Sequence, residues 1–171
     1  YNIDVIYIGD FKIFDQKKVN AAYADGALYV TNKQDDINDM VDDIIHELAH
    51  GLEEQYGREI YGDGKIKEEF LKKRRFLERS LRHSGFKTRG LDFMNIDYDE
   101  NLDAFLLNQV GYAYINASFS GRAFMNAYSA TSLREYFAVG FEKFYLGDRK
   151  RVSYMCPKLY EKLVEIDSME E

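Results

Sequence analysis

Ile45-His46-Glu47-Leu48-Ala49-His50-Gly51 decides how this chain is read. On an α-helix, positions four apart lie one turn above each other on the same face, so the imidazoles of His46 and His50 converge on one point. A divalent ion suits two such imidazoles, zinc above all. Glu47 follows His46 directly, which brings its carboxylate beside that point, where it can take a proton from water without being a ligand. The bland alternative is a pair of solvated histidines on a charged helix. The chain has 3 histidines, and two of them at this spacing favour the metal.

Working outward, Ile37, Val41, Ile44, Leu48 and Leu52 recur at helical spacing and predict an amphipathic helix with a buried stripe. The histidines fall about 200° round from Ile44 and face away from the main core. Asp35, Asp36 or Asn38 caps its start, and Gly57, after Gln55-Tyr56, ends it. Upstream, the β-branched run Ile3-Asp4-Val5-Ile6-Tyr7-Ile8 reads as a buried strand ending at Gly9-Asp10. Phe11 to Lys18 reads as a looser extended or turn segment. Ala21-Ala22-Tyr23-Ala24 and Ala27-Leu28-Tyr29-Val30-Thr31 flank Asp25-Gly26, a strong hairpin signal. With Ala27 to Thr31 at the sheet edge, the backbone groups of Ala27, Leu28, Tyr29 and Val30 would pair with an extended peptide; an ordinary structural edge strand is the equal alternative.

Composition sets the frame: 171 residues, 46% hydrophobic and 15% aromatic, suit one folded domain, with room for a subdomain, and a well-buried core. Cys156, the single cysteine, cannot form an internal disulfide. No run approaches the length of a membrane span and no signal peptide is visible. The chain begins with Tyr1 almost at the first strand, so trimming of an upstream segment is compatible with it and the compartment stays open. The net charge of −7 is uneven, because Lys65 to Arg89 carries ten Lys or Arg against three Glu. That asymmetry argues against a nucleic-acid protein. Within this stretch Phe70, Leu77 and Leu81 share a face over Glu68 to Arg82, a basic amphipathic helix ending near Ser84-Gly85. It is either a solvated helix or a docking surface for an acidic partner. His83, among these charges, is a poor metal ligand.

Further on, Asn101 to Leu107 begins a helix with Leu102, Phe105 and Leu106 inward, and Gly111 marks a break. Tyr112 to Tyr128, rich in small and aromatic residues, has no clear period. Leu133, Phe137, Phe141 and Phe144 then follow a helical spacing that Gly147 can end, and a last helix starts near Pro157 and runs through Leu159, Leu163 and Ile166.

Two histidines leave a tetrahedral zinc in need of one more protein ligand and an open position. In the metzincin pattern a third histidine would fall where this chain has Tyr56, and the glycine before it where it has Glu53, so that pattern is absent. A carboxylate remains, and Glu135, in the first turn of a strongly apolar helix, is the best placed. Ser132-x-x-Glu135 is equally a capping box, in which Glu135 would bond the backbone of Ser132. Glu142, Asp103 and Glu100 are weaker alternatives.

His46-Glu47-x-x-His50 followed by Tyr128-Ser129-Ala130-Thr131-Ser132-Leu133-Arg134-Glu135-Tyr136-Phe137-Ala138 resembles the catalytic domain of the anthrax lethal factor group of zinc metallopeptidases, which includes the Pro-Pro endopeptidases. In that group the third zinc ligand is a Glu opening an E-[FY]-F-A run, and a Tyr seven residues earlier points at the metal. The resemblance therefore implies one Zn²⁺ per chain held by His46, His50 and Glu135, with Glu47 as general base and Tyr128 as oxyanion donor. It implies an α+β, zincin-like single domain over 1–171: a small mixed sheet with a hairpin on the active-site helix over 1–56, a helical insertion over 57–100, and a helical part with the third ligand over 101–171. Two features depart from the group. Val139 stands where members often carry an acid, and the gap from His50 to Tyr128 is long. The implied activity is endopeptidase cleavage of an extended peptide or protein segment, and a secreted or delivered effector such as a toxin fits it. One of Asp42, Asp43, Glu53 and Glu54 would orient an imidazole. Two other readings are a catalytically silent, zinc-stabilised module on the same fold, and a basic-patch binding protein acting through Lys72, Lys73, Arg74 and Arg75.

Overall fold

The computed structural model describes residues 3–17, 19–119 and 123–168. Tyr1, Lys18 and residues 120–122 of the unassigned stretch lie outside them. The architecture is α+β, with one small mixed sheet followed by helices, in two compact units, Tyr1–Glu59 and Ile60–Glu171.

In the first unit, β1 (Val5–Gly9), β2 (Ala21–Ala24) and β3 (Ala27–Thr31) form a sheet in the order β1-β3-β2. Asp25 and Gly26 both have positive φ, 50° and 79°, the pairing that a two-residue hairpin of right-handed twist requires. β3 pairs antiparallel with β2 and parallel with β1. It is therefore the central strand, with Ala27, Leu28, Val30 and Thr31 buried. This overturns the reading of Ala27, Leu28, Tyr29 and Val30 as a peptide-pairing edge, because both sides of that backbone are already used in ladders. β1 is a sheet edge, and its Val5, Ile6, Tyr7 and Ile8 are exposed, not buried. A β-branched run encodes strand preference; burial depends on what packs against it. The expected extended segment after β1 is instead the short helix α1 (Lys12–Lys17), turned inward by buried Phe14, whose ring lies 5.1 Å from that of Phe11.

α2 (Ile37–Tyr61) is the predicted helix, with the Asp36 carboxylate accepting from the N–H groups of Asn38 and Asp39. Its backbone leaves helical geometry at Tyr56, yet the helix resumes through Gly57 and runs on to Tyr61, so Gly57 is not the terminator. Ile60, fully buried, explains why the extra turn forms. The apolar stripe is buried at Leu52, half-buried at Ile44 and Leu48, and exposed at Ile37 and Val41.

The second unit contains α3 (Lys65–His83), α4 (Glu100–Ala104) running into a π-helix (Phe105–Val110), α5 (Tyr112–Phe119), a 3-10 turn (Tyr128–Ala130), α6 (Leu133–Tyr145), α7 (Arg149–Met155) and α8 (Pro157–Ser168). α6 is buried almost all round, through Leu133, Tyr136, Phe137, Ala138, Val139, Phe141 and Phe144, and α3, α7 and α8 pack on it. α3 contributes Ile66, Phe70, Leu77 and Leu81, each fully buried. The basic segment is thus built into this core. No helix among the described residues is long and apolar enough to cross a membrane.

Candidate metal centre

The geometry of α2 follows from its spacing: the His46 and His50 rings have centroids 5.1 Å apart and planes at 81°, both residues half-buried. Nδ1 of His50 lies 2.9 Å from a carboxylate oxygen of Glu53, which is buried. Among Asp42, Asp43, Glu53 and Glu54, Glu53 is bonded to an imidazole. A carboxylate on Nδ1 favours the tautomer with hydrogen there and leaves Nε2 as the basic nitrogen, the arrangement in which histidine binds metals. Asp43 accepts from the Gln34 amide at 2.7 Å.

Glu47 has a partner that sequence reading missed. The Thr31 N–H donates to the Asn20 carbonyl, and antiparallel alternation then makes Tyr23 opposite Leu28 a non-hydrogen-bonded pair, with its N–H on the outer edge of β2. That N–H donates to Oε2 of Glu47 at 2.8 Å. The Tyr23 ring lies over Gly51, where an added Cβ would stand 3.0 Å from it. Its hydroxyl reaches Glu54, and burial first, then that carboxylate, raises its pKa. Glu47, Gly51 and Glu54 are successive turns of one helix face, so a single tyrosine of β2 fixes the carboxylate expected to be the base. Only the glycine after His50 hints at a close neighbour in the sequence.

In the second unit, Ser132 caps α6 with extended backbone, φ −152° and ψ 167°, its hydroxyl accepting from Glu135 N–H at 3.1 Å. The serine half of the capping box is therefore formed, and Glu135 sits half-buried in the first helical turn. Tyr128, seven residues earlier, begins the 3-10 turn and is 38% exposed. Its carbonyl accepts from both the N–H and the hydroxyl of Thr131. The weaker third-ligand alternatives have other work. Asp103 accepts from the hydroxyls of Tyr98, at 2.7 Å, and Tyr112, while Glu142 pairs with Lys143 and Glu100 is exposed. His83 is exposed at the end of α3.

One ring nitrogen from each of His46 and His50 and one carboxylate oxygen of Glu135 lie within 4.8 Å of one another. Zinc–donor distances near 2.1 Å put tetrahedral donors about 3.4 Å apart. Two imidazoles and a carboxylate are a fitting donor set for zinc.

The basic segment is less available than its sequence suggests. Arg74 is fully buried, and the Lys73 ammonium donates to the carbonyls of Ala123, at 2.5 Å, and Met155, at 2.6 Å. Two of the four residues Lys72 to Arg75 are thus spent inside the fold, which removes them from any docking surface for an acidic partner. Neither a family model, nor a curated protein, nor a solved structure matches the chain.

Proposed function

We propose that this chain is a zinc-dependent endopeptidase of zincin-like fold, related in plan to the lethal factor group, that hydrolyses peptide bonds in an extended peptide or protein segment. The observation that carries the reading is the grouping of His46, His50 and Glu135 with Glu47 adjacent to the first of them. Zinc, when bound, supplies Lewis-acid polarisation of water and of the scissile carbonyl. His46, His50 and Glu135 would hold it, with Glu53 fixing the His50 ring. Glu47, steadied through Oε2 by Tyr23, takes the proton from the attacking water and later delivers it to the leaving amine. The Tyr128 hydroxyl donates to the carbonyl oxygen as negative charge grows there.

The test pairs zinc content with cleavage of a peptide library. About one zinc per chain is expected in the wild type and in Glu47→Ala, with cleavage in the wild type alone. One feature favours a catalytically silent, zinc-stabilised module instead: Glu47 already serves the sheet as an acceptor for Tyr23. Stoichiometric zinc in a wild type that cleaves no library peptide would decide for that module.

A further inference from the structure

Arg74 stands in the middle of α3 with no exposed surface, and its guanidinium hydrogen bonds go to main-chain carbonyls. Nε donates to Phe93 O at 3.2 Å and one terminal nitrogen to Asn95 O at 3.1 Å. The other donates to Ala130 O and to Thr131 O, the latter at 3.2 Å. Burial draws its pKa down to about 10, against the pull of Asp92 and Asp99, which leaves it charged at neutral pH. A buried cation is costly, and a well-packed apolar residue is often no less stabilising. What an apolar residue cannot do is bind two separate loops through a rigid fork of five donors.

The two loops are 93–95 and 130–131. They are joined a second time by Leu133 N–H donating to Ile96 O at 2.8 Å. Ala130 and Thr131 lie between Tyr128, whose carbonyl is bonded twice by Thr131, and Ser132, which caps Glu135. The guanidinium thus grips the short segment that joins the proposed oxyanion donor to the proposed third ligand.

We propose that Arg74 is a positioning residue, which clamps residues 128–135 so that the Tyr128 hydroxyl and the Glu135 carboxylate are presented in one fixed relation. The purpose of the clamp rests on the metallopeptidase reading; the clamp itself does not. Lys73 is the natural control, because it is the next residue of the same helix and also bonds two carbonyls, those of Ala123 and Met155, outside this segment.

The experiment compares Arg74→Met, Arg74→Lys and Lys73→Met in two measurements. The first is amide hydrogen exchange of the metal-free chain. In the Arg74 variants, exchange at Ala130, Thr131, Leu133 and Glu135 is expected to be at least about tenfold faster than in the wild type, and in Lys73→Met unchanged. The second is Co²⁺ binding, which is expected to weaken about 10- to 100-fold in the Arg74 variants only, as when a residue orienting a ligand is lost. Arg74→Lys keeps the charge without the fork and supplies both readouts should Arg74→Met fail to fold. Unchanged exchange in the Arg74 variants, or equal acceleration in Lys73→Met, would overturn the clamp. A wild type that takes up no Co²⁺ would overturn the purpose given to Arg74 and the metal site together, while the exchange data still report whether the clamp exists.

Discussion

At the scale of single residues, chemistry is concentrated where one side chain serves two elements. Tyr128 can be tested apart from folding, because its main chain, held by Thr131, is untouched in Tyr128→Phe. Turnover is expected to fall about 10²- to 10³-fold with zinc content unchanged; an undiminished rate would remove Tyr128 from the mechanism. Nearby, Tyr98 is 53% exposed, yet partial desolvation and then the hydrogen bond to Asp103 raise its pKa to about 12, and Tyr112, on the same carboxylate, shifts in the same direction. A phenol whose pKa is higher folded than unfolded contributes stability in full below pH 10, lost as pH rises through 12. Denaturation midpoints between these pH values are therefore expected to fall less in Tyr98→Phe than in the wild type, and an equal fall would contradict the assignment. His46, Glu47 and His50 are legible in sequence because one spacing of four carries them. Tyr23 and Arg74 are not, because their partners are main-chain or carboxylate groups that only the fold brings to them.

At the scale of elements, the long helices are legible and the short ones are not. α3, α6 and α8 each repeat apolar residues over enough turns for the period to appear, and Phe70, Leu77, Phe137, Phe141, Leu159 and Leu163 are all buried. α1 and α7 have six and seven residues, too few for a period. The π-helix is hidden for a different reason: one bond from Gly111 N–H to Leu106 O spans five residues where an α-helix spans four, and no residue type encodes that shift. Gly111, φ 88°, was legible as the break that follows. α6 and α8 meet at Gly140, where an added Cβ would run into Leu159, its Cγ 3.1 Å away and its side chain fully buried. Gly140→Ala is expected to cost about 1–3 kcal/mol in chemical denaturation. Combining it with Leu159→Ala, which alone costs about 2–5 kcal/mol, should cost less than the two together; strict additivity would mean that the two positions do not meet.

At the scale of the whole molecule, the proposed hydrolysis depends on His46, His50 and Glu135 acting on one ion. The α+β order of elements and these three residues were legible, the third as the best-placed carboxylate with a capping box as its equal rival, then marked out by its E-Y-F-A run and the tyrosine before it. The sheet order was not legible, because a hairpin signal says which strands pair and nothing about which of them a third strand will cover. The direct measurement is the zinc affinity of the intact chain beside that of Glu135→Ala, with His50→Ala as the reference for loss of a ligand. About one tightly held zinc per wild-type chain, weakened at least about tenfold in both variants, is the expected result. A wild type that binds no stoichiometric zinc, or a Glu135→Ala chain that binds it as tightly as the wild type, would contradict the account.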